Sequence, residues 1–144
     1  MSNIRYNITF NFIDYGNADI RISFNQNGSS WSYIGIIANN IPQSQPTMNF
    51  GWFNNYTSES EFSRTILHEF GHALGLLHEH KHSERPFEWN IPKVLAYYET
   101  KLGWSRNDIY RNVINRYGTG SSFTSEKYDR YSIMHYPVPA YFTT

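Results

Sequence analysis

An α+β fold is predicted by two changes of pattern along the 144 residues and by their composition. Apolar residues alternate with polar ones near the start, recur at helical spacing from Ser58, and lose both periods after Ser121. Hydrophobic residues make up 40% and charged ones 17%, a balance that builds a core. The length suits one domain. Its best internal division falls near His78, with 1–78 holding strands and one helix and 79–144 mostly helix and loop.

Ile8, Phe10 and Phe12 alternate with Asn7, Thr9 and Asn11, and Ile20, Ile22 and Phe24 alternate with Arg21 and Ser23, the period of half-buried strands. The segment Asp14 to Asp19, with Gly16 and Asn17, connects them. Tyr33 to Ile37 and Met48 to Phe53 read as two shorter strands around a loop with Asn39, Asn40, Pro42 and Pro46, giving about four in all. Ser58 followed by Glu61 is a capping-box pattern, and Phe62, Ile66, Phe70 and Ala73 carry a helix to about Leu74, stopping near Gly75. Asn90 with Pro92 behind it opens a second helix through Val94, Leu95 and Tyr98 towards Gly103. Ser105 and Asp108 open a third, ending by Gly118, and the tail to Thr144 reads as irregular chain.

Composition excludes several functions. Twelve basic residues balance twelve acidic ones for a formal net charge of +0, so no electrostatic footprint marks nucleic acid or an anionic membrane as a partner. No run approaches the roughly 18 apolar residues of a membrane span, and the opening lacks the apolar stretch of a secretion signal. With no Cys, disulfides, thiolate nucleophiles and Cys-bearing zinc sites are out, leaving N and O ligands for any metal.

The chemistry gathers between Leu67 and His82, where five of the six His lie. His68-Glu69-Phe70-Gly71-His72 has the H-E-x-x-H form, and four helical residues bring two imidazoles to within about 40° of one another on one face. Glu69 is not needed as a ligand, and its side chain can reach a water on the metal's open side. A continued helix would point His78 away from that pair, so a third ligand requires a break, and Gly75 supplies the residue that ends helices most readily. Three neutral imidazoles with one open position make a catalytic zinc site. His80 and His82 read as solvated, since no second ligand set surrounds them.

The full H-E-x-x-H-x-x-G-x-x-H of His68 to His78 resembles the metzincin zinc proteases, and Glu79 after the third His resembles their astacin branch. Ser132-Ile133-Met134-His135-Tyr136 matches the astacin form of the Met-turn, and the stretches around Ala18 to Phe24 and Ser30 to Gly35 are similar to microbial astacin-like strands. The resemblance implies a zincin-like small twisted mixed sheet with an active-site helix, followed by a mostly helical and irregular C-terminal subdomain. It implies one zinc per chain on His68, His72 and His78, with Glu69 as general base and Met134 as the floor beneath the metal. Tyr136 would stabilise the oxyanion, and Glu79 would anchor the mature N-terminus. Trp31, Ser32 and Tyr33 would lie on the edge where an extended peptide adds.

The expected function is a zinc endopeptidase acting on peptide or protein substrates, monomeric and, by the same resemblance, secreted. Against the family pattern the sequence looks trimmed at both ends. The rival is therefore a catalytically silent, zinc-stabilised peptide-binding module or a fragment of such a protease, because catalysis needs positioning as well as ligands.

Overall fold

Three two-residue strands form a mixed sheet in the computed structural model, which describes residues 7–118 and 127–144. In the order β1-β3-β2, β1 (Ile22–Ser23) runs parallel to β3 (Met48–Asn49), and β2 (Trp31–Ser32) runs antiparallel to β3 on the other side. Loops set the register as much as the strands do. Asn49, 1% exposed, accepts from Ser23 Oγ at 2.7 Å and from the Asn25 amide at 2.8 Å, and donates to the carbonyls of Asn25 and Ser29. Every polar atom of this buried amide is thereby matched.

Two expected strands are absent. Residues 7–13 are exposed, Phe12 by 81%, and belong to no strand. Their period of two has no ladder partner among the described residues, and Phe10 instead packs edge-on against Phe70 at 5.1 Å. The apolar run from Tyr33 to Ile37 is not a strand either. Gly35, at φ +51, turns the chain into a 3-10 helix over Gly35–Asn40, and the strand of this region lies earlier, at Trp31–Ser32. The lack of a side chain at Gly35 also lets that turn sit on Gly75, whose Cα lies 3.3 Å from where a Cβ would be.

Gly51 closes the sheet onto the loop before β2. Its amide donates to Ser30 Oγ at 3.1 Å and its carbonyl accepts from Gly28. A Cβ there would lie 2.2 Å from the Ser29 carbonyl oxygen and 2.5 Å from its nitrogen, backbone that has nowhere to move. Gly51→Ala is expected to destabilise the fold by about 1–3 kcal/mol through overpacking. Equilibrium urea denaturation measures it, and an unchanged midpoint would mean that residues 28–30 are not clamped.

Helix α1 (Glu59–Ala73) starts where the capping pattern places it, with Ser58 Oγ accepting from the Glu61 amide. Glu61 does not close the box. Its carboxylate takes Trp52 Nε1, Arg64 and Thr65 Oγ1 instead, fastening the helix to the loop after β3. The rings of Phe50, Phe53 and Phe62 continue that contact, with centroids 4.8 and 4.5 Å apart.

Helix α2 (Ile91–Leu102) is capped by Asn90 and ends at Gly103 in the left-handed conformation. Helix α3 (Arg106–Ile109), capped by Ser105, runs directly into a π-turn over Tyr110–Ile114 and so stops short of Gly118. Trp89, Val94, Ile109, Val113 and Ile114 form the core of this half, with Phe87, Trp104 and Phe142 packed on it. The C-terminal end folds back as an irregular segment, pairing Thr143 with Trp89 and closing with a short turn at Ala140–Phe142. Residues 121–126 of the expected irregular tail lie outside the described residues.

Candidate metal centre

His68 and His72 emerge from the buried face of α1 with ring centroids 4.8 Å apart. The helix then ends in a Schellman motif: Gly75 has φ +98, its amide donates to the His72 carbonyl at 2.8 Å, and the Leu76 amide donates to the Gly71 carbonyl at 2.9 Å. This turn reverses the chain and also fixes the ring of His72. The Leu76 carbonyl accepts from His72 Nδ1 at 2.8 Å, while the Ile133 carbonyl accepts from His68 Nδ1 at 2.8 Å. Carbonyls only accept, so both Nδ1 atoms carry the proton and both Nε2 lone pairs face inward.

His78 returns to complete the group, its Nε2 3.0 Å from that of His72, and one nitrogen from each of the three His lies within 4.8 Å of the others. Tetrahedral zinc with Zn–N bonds of about 2.0–2.1 Å would want its nitrogens about 3.4 Å apart, so small adjustments fit the ion. Burial pushes His68 down, His72 to about 4 and His78 to about 2, the last helped by the neighbouring imidazoles. All three are therefore neutral at physiological pH, the ligand form. Three imidazoles that burial keeps neutral converge, with the His72 Nε2 lone pair facing His78 Nε2 at 3.0 Å, and this donor set fits zinc.

Glu69 borders the same cleft, 5% exposed, with Oε2 buried and without a hydrogen-bond partner among the described residues. Burial raises its carboxyl to about 7, against the pull of Arg64. Tyr136 stands over the group, its ring 4.2 Å from that of His78 and 5.8 Å from that of His68. Burial and the charge of Glu69 push its hydroxyl up to about 12, so it keeps its proton.

The segment 132–136, the Met-turn expected from the sequence, contacts the His cluster through its backbone. Ile133 orients His68, and the Met134 carbonyl accepts from the Glu79 amide at 2.9 Å. The Met134 side chain, 2% exposed, packs against α1 at Gly71, where a Cβ would come within 2.4 Å of its sulfur. Gly71 thus has a reason that its place inside H-E-x-x-H does not announce. The Glu79 carboxylate accepts from the Asp129 amide at 2.8 Å, tying the third-ligand segment to the start of that turn. The N-terminal residues expected to reach Glu79 lie outside the described residues.

Trp31 and Ser32 line the cleft, a space of 320 Å³, together with Lys81, Arg111, Asn112 and Tyr117, which the sequence did not single out. Tyr33 is not among the lining residues, and it meets Trp31 edge-on at 5.7 Å. His80 and His82 are not solvated. They are 0% and 2% exposed, because the turn at Glu79–Lys81 packs against the segment Tyr110–Ile114 that follows α3. His80 Nε2 reaches the Asn112 carbonyl at 3.1 Å, and His82 Nδ1 accepts from the Glu84 amide at 3.0 Å.

The chain matches the model of the astacin peptidase family over residues 1–143. Among solved structures, a structure of myroilysin is similar at 45% identity and a TM-score of 0.85, covering 94% of this chain and 66% of that one. A crystal structure of myroilysin is similar at 42% identity and a TM-score of 0.65, covering 94% of this chain and 59% of the other. The chain thus spans 66% and 59% of the length of these two relatives. No curated protein matches it significantly.

Proposed function

This chain belongs to the astacin family of peptidases, and we propose that it is a zinc-dependent endopeptidase that binds its substrate as an extended strand. The observation that carries the proposal is the convergence of three neutral His nitrogens beside a buried carboxylate whose Oε2 has no hydrogen-bond partner among the described residues. One zinc would be held by His68, His72 and His78. When bound, it supplies a Lewis acid that polarises a carbonyl and acidifies water.

The other tasks fall to the chain's own residues. Glu69 takes a proton from the attacking water as oxygen bonds to the scissile carbonyl carbon, and returns it to the amine nitrogen as the C–N bond breaks. Tyr136 donates its retained proton as a hydrogen bond to the oxyanion left on the substrate. Met134 packs beneath the ligands, and Glu79 keeps the His78 segment on the Met-turn. The Tyr33 amide is spent on the Thr47 carbonyl at 2.9 Å, so strand alternation leaves the Ser32 amide and carbonyl on the unpaired edge. A peptide pairing there runs along the cleft beside Trp31.

Action outside the cell is part of the same reading and rests on the family. No helix among the described residues is long and apolar enough to cross a membrane.

The test is turnover of a broad quenched-peptide library, with zinc measured on the same sample. Cleavage at one zinc per chain, abolished by a chelator, is expected. His78→Ala should lower zinc affinity by roughly 100-fold or more, since outer-shell partners alone are worth about 10- to 100-fold. Stoichiometric zinc without cleavage would instead support a peptide-binding module.

A further inference from the structure

Three donors that follow His78 cap the end of the π-turn Tyr110–Ile114. The Lys81 ammonium donates to the Arg111 carbonyl, His80 Nε2 to the Asn112 carbonyl at 3.1 Å, and the Arg85 guanidinium to the Ile114 carbonyl at 2.9 Å. These are carbonyls that a helix end leaves without internal partners. The Tyr117 amide, which could have served one of them, goes instead to the Lys81 carbonyl. For His80 the consequence is a fixed ring. A carbonyl only accepts, so Nε2 carries the proton, and the Arg85 guanidinium also clamps the His80 carbonyl at 3.0 Å.

That fixed ring lies parallel to Tyr136, with centroids 4.6 Å apart and planes 16° from parallel. No other ring around Tyr136 is so nearly parallel among the described residues: His68 makes 27° at 5.8 Å and His78 makes 50° at 4.2 Å. The phenol therefore packs against both His80 and His78, two rings that themselves meet at 5.3 Å. His80 is not one of the converging donors, and its Nε2 is already committed. We propose that His80 is a positioning residue, its buried ring holding the Tyr136 phenol against the cluster of His68, His72 and His78. The role in turnover rests on the reading of Tyr136 given above, whereas the placement itself does not.

The test uses the zinc-loaded full chain labelled with fluorotyrosine, in which the fluorine resonance missing from Tyr136→Phe identifies Tyr136. His80→Gln keeps an N–H for Asn112 and removes the ring, while His80→Phe keeps the ring and removes the N–H. The Tyr136 resonance should move in His80→Gln and stay close to the parental position in His80→Phe. In His80→Gln kcat should fall at least about tenfold, since a 1 Å misplacement costs about 10²-fold, with KM and zinc content unchanged. The same substitution in the Tyr136→Phe background should cost nothing further.

A Tyr136 resonance that ignores His80→Gln overturns the placement. An equal kcat loss in the Tyr136→Phe background overturns the route through Tyr136. Full turnover by Tyr136→Phe alone would overturn the catalytic reading of Tyr136, and the resonance would still decide the placement. If His80→Gln does not fold, His80→Phe decides: turnover near parental supports the stack, and a loss matching that of Tyr136→Phe overturns it.

Discussion

Glu69→Gln is expected to abolish nearly all turnover while leaving zinc in place. Its side chain is the carboxylate that borders the cleft beside the three His, and no described group shares Oε2. The amide of Gln has the same shape and cannot accept a proton, so a loss of about 10²–10⁴-fold follows from general base catalysis alone. The ligand set is untouched, and zinc content should stay at one per chain. The rate profile supplies a second signature. Burial raises the carboxyl to about 7, and a cation in the cleft can only draw it down. The parental rate should therefore fall as pH drops below neutral, because protonated Glu69 is not a base. In Glu69→Gln the residual rate should lack that acid limb. A Gln variant cleaving at the parental rate would remove Glu69 from the mechanism.

The parts of the site that were legible in sequence are those set by local rules. Ser58 as cap, two His one turn apart and Gly75 as terminator all act within a few residues, and the Schellman bonds show why the terminator brings His78 back. The strands were less legible, because two residues carry too little pattern. What defines them is the side chain of Asn49, the close approach of Gly51 to Ser29 and the turn at Gly35. Residues 7–13 show the converse, a period of two without a partner strand. The misreading of His80 has the same origin. Whether a His is solvated depends on what packs against it, and its acceptor, Asn112, lies 32 residues away. Gly71 was hidden likewise, since its reason is the sulfur of Met134.

The buried His residues also set how the metal-free chain responds to acid. Burial pushes His72 to about 4, His78 to about 2 and His80 to about 3, whereas an unfolded His titrates near 6.5. Between those limits the unfolded chain binds more protons than the folded one, so stability is lost as pH falls from about 6.5 towards 4 and is level above 6.5 on account of these groups. Lys81 and Arg85 add to the shift at His80, and the Asn112 carbonyl opposes it. Glu69 works in the other sense: its raised carboxyl binds a proton in the folded state between about 4.5 and 7, a gain as pH falls that offsets one His. The net expectation is uptake of about two protons on unfolding near pH 5, read as urea midpoints of chelator-treated protein that drop steeply from pH 7 to pH 5. His80→Phe should flatten that slope by removing one of the groups. Zinc should move the whole loss to lower pH, because it binds the folded state and its ligands must stay unprotonated. Midpoints that hold level from pH 7 to pH 5 without metal would mean that these imidazoles are open to water after all.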